Sequence, residues 1–153
     1  ALEAVSRLPV HSPHILDLFE EPWTEANAHM KARQLVEDYV ETWDRYRTLF
    51  RIRNLAAEEG DTRFIEVRMQ SADPLLSAIS SYISRQQVDG RMLPDQRPEA
   101  IAGALLAMLE RIASVMRIYF DPPRQAPEGV SSLSDRKEMM EATTHIWATM
   151  LAV

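Results

Sequence analysis

The chain has 153 residues, 46% of them hydrophobic and 26% charged, a composition that suits one folded domain and excludes a disordered or fibrous chain. It contains no cysteine, which excludes disulfides and thiolate zinc sites, and it has neither an apolar run near the ~18 residues of a membrane span nor a secretory apolar stretch at its start. The net charge is −6, with 17 Lys and Arg scattered among 23 Asp and Glu; this argues against DNA binding by these residues alone, because such a surface needs a basic patch to neutralise phosphates.

Glycines and prolines divide the chain, and the apolar period between them is helical. Residues 1–22 are expected to be an irregular opening segment. Ala1–Leu8 reads as the end of a helix, Leu8–Pro13 as a loop, and His14–Glu20 as one or two helical turns. A helix is predicted from Thr24, an N-cap residue after Pro22, with Ala28, Ala32, Leu35, Val36, Tyr39, Val40 and Trp43 on its apolar face. A second follows closely, with Tyr46, Leu49, Phe50, Arg53 and Ala57 on one side, and stops at Gly60. Asp61 caps a third, longer helix whose face begins with Phe64, Val67/Arg68 and Met69 and continues with Leu75/Leu76, Ile79, Tyr82/Ile83 and Gln86, ending at Gly90. Pro74 inside it lacks a backbone donor and is expected to kink or split it.

Pro98 suits the first position of a fourth helix, whose face is Ile101, Leu105, Met108, Leu109, Ile112, Val115, Met116 and Tyr119. Residues 121–130 hold three prolines and no period and read as a mobile loop. A fifth helix is predicted from Ser132 or Ser134 almost to the end, carrying Met139/Met140, Thr143, Ile146/Trp147 and Met150/Leu151. No alternating strand pattern and no hairpin signal occurs. The expected fold is all-α: one antiparallel helical bundle over residues 1–153.

Motifs for chemistry are sparse. His11 and His14 lie three apart in a proline-bounded loop, and two imidazoles without a third ligand read as solvated. Glu25/His29 and Glu141/His145 stand four apart, whereas di-iron bundles use Glu-x-x-His with further carboxylates on facing helices. There is no nucleophile elbow, phosphate loop or dinucleotide fingerprint. No enzymatic activity, metal or cofactor is expected.

Methionines and aromatics are more informative. Met69, Met108, Met116, Met140 and Met150 accompany Trp43, Phe50, Tyr82, Tyr119 and Trp147. For any one of them core packing is the simpler reading, yet a methionine-rich interior also suits a cavity for apolar ligands. Arg53 and Asn54, beside the Phe50 face, either orient a polar end of such a ligand or are solvated. Small residues Ala100, Gly103, Ala104 and Ala107, and Ala142, Thr143, Ala148 and Thr149, let helices approach closely. The last two helices therefore pair either with their symmetry mates in an isologous dimer, the favoured reading, or within one chain.

The segment Met139-Met140-Glu141-Ala142-Thr143-Thr144-His145-Ile146-Trp147-Ala148 resembles the final helix of TetR-family transcriptional regulators, in particular the mycobacterial ethionamide-activation repressor type. Residues Ala100–Arg111 are similar to the penultimate helix of that family, Arg45–Arg51 to the helix after its long first one, and Gln86–Arg91 to the stop of its central helix. The proline-bounded start, Leu8–Pro22, has no counterpart in this resemblance. The resemblance implies that the last two helices make a homodimer interface, with Gly103, Ala107, Arg111, Thr143 and Met150 in it. It also implies an effector pocket lined or bordered by Trp43, Phe50, Met69, Leu106, Leu109 and Trp147, with Arg53 beside them. Leu106 and Leu109 stand where the ethionamide-activation type carries asparagines, so a more apolar, hydrophobic small-molecule effector is implied. The family's helix-turn-helix head is not in this sequence, so operator DNA is expected to be read by a head outside the chain, in a bacterial cytoplasm. The rival expectations are a helical-bundle metalloenzyme and an interaction module whose interior is filled.

Overall fold

The computed structural model describes residues 1–122, 125–129 and 134–153. Six α-helices and one 3₁₀ helix are present among them: α1 (Leu2–Ser6), the 3₁₀ helix (Pro13–Phe19), α2 (Ala28–Arg45), α3 (Arg47–Glu58), α4 (Thr62–Val88), α5 (Pro98–Tyr119) and α6 (Arg136–Leu151). α2 packs against α6, and α4 packs between α3 and α5. Each of α2, α4 and α5 buries one stripe at helical spacing. On α2 this is Ala28, Ala32, Leu35, Val36, Tyr39, Val40 and Trp43. Ile79, Tyr82 and Ile83 on α4 and Ala102, Leu109 and Ala113 on α5 meet it in one contiguous core.

The punctuation works as the local chemistry requires. Gly60 has φ of 93°, in the left-handed region, and the Asp61 N–H turns back to the Ala56 carbonyl (3.0 Å), closing α3. Asp61 then caps α4, its carboxylate accepting from the Arg63 N–H at 3.0 Å. The start of α6 is capped by Asp135, which accepts from the Glu138 N–H at 2.8 Å. The predicted start at Ser132 lies outside the described residues, and Ser134 precedes the observed cap by one.

Two expectations are corrected, the start of the first long helix and the split at Pro74. The first long helix begins at Ala28, not Thr24, because the Asn27 side chain accepts from the Thr24 N–H (2.8 Å) and holds a turn there. α4 runs through Pro74 without a break. Pro74 is exposed, while its neighbour Leu75 is fully buried, so burying the next turns outweighs one missing helical hydrogen bond.

The opening segment is irregular but not peripheral. Ile15, Phe19 and Trp23 are buried in the main core, and the Phe19 and Trp23 rings stack at 5.5 Å. The Tyr82 hydroxyl accepts from the Trp23 N–H (2.9 Å) and donates to the Leu151 carbonyl (2.7 Å). The Val153 N–H donates to the Trp23 carbonyl at 2.8 Å. One phenol on α4 thus fastens the opening segment to the last turn of α6.

Candidate ligand site and oligomer surface

The interior stripes of α2 and α3 place an aromatic group at one end of the core. Trp43 and Phe50 lie 5.0 Å apart, Tyr46 meets Phe50 edge-on, and the Arg53 guanidinium sits 4.9 Å above the Phe50 ring. Arg53 is only 2% exposed. Its Nε donates to Asn54 Oδ1 (3.0 Å) and its Nη1 to Ser71 Oγ (3.3 Å). Glu110 of α5 accepts from Asn54 (3.1 Å) and from Arg68 of α4 (2.5 Å), so two guanidinium groups lie near one carboxylate. Burial lowers the Arg53 pKa, opposed by the charge of Glu110. Burial, reinforced by Glu110, raises that of the neighbouring Tyr39 hydroxyl far above the ordinary phenol range, so Tyr39 stays protonated.

A small cavity of about 10 Å³ adjoins this cluster, lined by Val10, Tyr39, Arg53, Arg68, Ser71, Ala72, Leu75, Leu106 and Glu110. An outer groove of about 280 Å³ is also lined by Arg68, Leu106 and Glu110, together with Glu58, Leu76, Gly103, Ala107, Arg111 and Ser114. The Arg68–Glu110 pair therefore borders both spaces. The groove shares Glu58, Arg111 and Ser114 with a wider one of about 520 Å³ between α3 and α5, which adds Ile52, Leu55, Val115 and Ile118.

Of the residues expected to line or border an effector pocket, Arg53 and Leu106 border the inner cavity. Trp43, Phe50, Leu109 and Trp147 are fully buried in the core and line none of these three spaces. The indole N–H groups of Trp43 and Trp147 are buried without a hydrogen-bond partner of sound geometry, although the Tyr39 hydroxyl interacts with that of Trp43. Met69 departs from the expectation altogether. It is 68% exposed on α4, because Arg68 rather than Met69 occupies the inward position next to Glu110.

The residues expected between protomers fall in three places. Gly103, Ala107 and Arg111 line the outer groove that faces α3 and α4. Thr143 is buried on the inner side of α6, its hydroxyl donating to the Met139 carbonyl at 2.7 Å, so it belongs to the protomer's own packing. Met150 is exposed, on one strip of α6 with Ala142 and Ile146 at intervals of four. Sequence reasoning did not single out Tyr39, Arg68, Ser71 or Glu110 as site residues. Glu110 was the available signal: it follows Leu109 and stands four after Leu106 on a buried face, where a carboxylate needs a partner.

Among the described residues no group of three or more His, Asp and Glu is placed to hold a metal ion, and no helix is long and apolar enough to cross a membrane. His11 is close to the Ser12 carbonyl (2.9 Å), and His29 and His145 are exposed.

The chain matches the family described as tetracyclin repressor-like, C-terminal domain, over residues 16–121. No curated protein and no solved structure matches it. The match starts within the 3₁₀ helix, so Leu16–Pro22 has a counterpart in the family, contrary to the expectation for the opening segment. It ends before α6, the helix on which the sequence resemblance rested most. Domains of this kind belong to transcription regulators rather than enzymes. The match spans most of the chain, from the 3₁₀ helix to the end of α5, and the chain belongs to the family of tetracycline-repressor-like C-terminal domains.

Proposed function

We propose that the chain is the effector-sensing and dimerising domain of a TetR-like transcriptional repressor, working in a bacterial cytoplasm with a separate N-terminal helix-turn-helix head. The observation that carries this reading is the buried Arg53 cluster behind the Arg68–Glu110 pair, with an open groove on the other side of that pair. An effector with a largely apolar body enters from the groove, where Leu76, Leu106 and Ala107 offer it surface, and parts α4 from α5. A ligand moves an equilibrium only by its difference in affinity for two arrangements, so the arrangement with the helices parted gains population. Operator half-sites lie about one helical turn apart, ~34–36 Å, so a small pivot of two heads spoils their register. Dimerisation through α5 and α6 supplies the two-fold symmetry.

One observation favours a second reading, an interaction module that binds no effector: Trp43, Phe50 and Trp147 are packed and border none of the three spaces near the cluster. Tryptophan fluorescence separates the two. All three tryptophans are buried, so an effector that loosens the core is expected to change their emission saturably at micromolar concentrations. A panel of lipophilic compounds that leaves the emission unchanged, with the protein still dimeric in sedimentation, favours the module. A monomer at micromolar concentration counts against the regulator reading itself.

A further inference from the structure

Arg53 has an unusual arrangement of partners. It is 98% removed from solvent (2% exposed), yet it makes no ion pair with a carboxylate among the described residues. Two of its nitrogens donate to neutral acceptors, Asn54 and Ser71, and its Nη2 donates to none among the described residues. The carboxylate that acts on it, Glu110, is already engaged by Arg68 and Asn54. Arg53, Arg68 and Glu110 together carry one excess positive charge, and the protonated Tyr39 hydroxyl and the Ser71 hydroxyl border the same cavity. A buried cation without a contacting counter-ion is unfavourable, and a planar guanidinium with an open donor matches an oxyanion.

Resting on the sensing function proposed above, we propose that the effector is an anionic amphiphile, an apolar chain ending in a carboxylate, whose headgroup is received by Arg53 with Tyr39 and Ser71 beside it. Glu110 is the internal carboxylate with which that headgroup competes, and Arg68 is the side chain that moves to admit it. The apolar chain lies along Leu106 and Leu76 toward the outer groove. A cavity of about 10 Å³ has room for roughly one water, so binding the headgroup requires the Arg68–Glu110 pair to part.

The test compares three probes of one chain length, decanoate, decanol and decylammonium, each below its micellar concentration. Binding to the chain is followed by tryptophan emission and thermal shift. Decanoate is expected to bind at least tenfold tighter than either of the others. Arg53→Gln is expected to erase that preference, and Glu110→Gln, which removes the competing charge, to tighten decanoate several-fold. Equal binding of decanoate and decanol overturns the headgroup assignment and leaves an apolar sensor standing. A decanoate preference that survives Arg53→Gln overturns the site. Absence of binding by all three overturns both the headgroup and the sensing reading. If Arg53→Gln does not fold, Glu110→Gln decides, since unchanged decanoate affinity in that variant overturns the proposal.

Discussion

Asp44 of α2 receives Arg47 of α3 at 2.6 Å, Arg136 of α6 at 2.8 Å and Arg117 of α5 at 3.3 Å. One carboxylate, only 14% exposed, therefore ties four helices. Burial pushes its pKa up, but the hydrogen bonds and charges of Arg47 and Arg136 outweigh that and hold it below the ordinary aspartate value. A carboxyl depressed in the folded state contributes stability that is fully present above its unfolded value, about 3.9, and is lost as pH falls through the lower folded value. Urea unfolding across a pH series is expected to show this loss below about pH 4, and Asp44→Asn is expected to flatten that part of the profile while lowering stability near neutrality by roughly 1–3 kcal/mol. An acid slope unchanged in Asp44→Asn would assign the effect to other carboxylates. Asp44 stands four before Thr48 on no apolar stripe, so nothing in the sequence distinguished it from a solvated aspartate; its role arises only when four helix ends meet.

At the scale of elements, α4 carries Pro74 in its interior and remains one helix of 27 residues. The proline removes one helical donor, a cost of about 3 kcal/mol in a helix interior, while stiffening the unfolded chain returns roughly 0.4–1 kcal/mol. Pro74→Ala is therefore expected to stabilise the protein by about 2–2.6 kcal/mol, read as a higher urea midpoint with an unchanged slope. A destabilised variant would mean that the pyrrolidine ring makes a packing contribution of its own. The long helices were legible because their stripes repeat over many turns: Leu35/Val36, Tyr39/Val40 and Trp43 on α2, and Leu105, Leu109 and Met116 on α5. The 3₁₀ helix was legible only as a turn or two. With seven residues between prolines and loops it is too short for periodicity to reveal that Ile15, Phe19 and Trp23 all point inward.

For the whole molecule, the proposed dimer requires a self-complementary face on α5 and α6. The strip Ala142, Ile146 and Met150 is the part of α6 turned away from the core, with Ile146 44% and Met150 46% exposed. The double variant Ile146→Glu, Met150→Glu is expected to convert the dimer to a folded monomer in analytical ultracentrifugation, with the circular-dichroism helix signal retained. A dimer that persists moves the interface to another surface. Thr143→Glu is a useful contrast, because Thr143 is buried in the protomer and a charge there is expected to lower the melting temperature rather than change assembly alone.

By itself the sequence determined the number of long helices, most of their inward positions, the boundaries at Gly60, Asp61 and Pro98, and the net charge of −6. These are local properties, set within one or two turns by side-chain spacing and backbone preference. Which polar residues share an interior was decided by tertiary structure. The axial rotation and sliding of α3, α4 and α5 bring Arg53, Arg68 and Glu110 together from positions up to 57 apart in sequence, and they turn Met69 outward. The same packing closes Trp43, Phe50 and Trp147 into the core and leaves the space beside Arg53. Helix period fixes which side of a helix faces inward to within about one residue, and that margin separates a methionine in a pocket from an arginine at its edge.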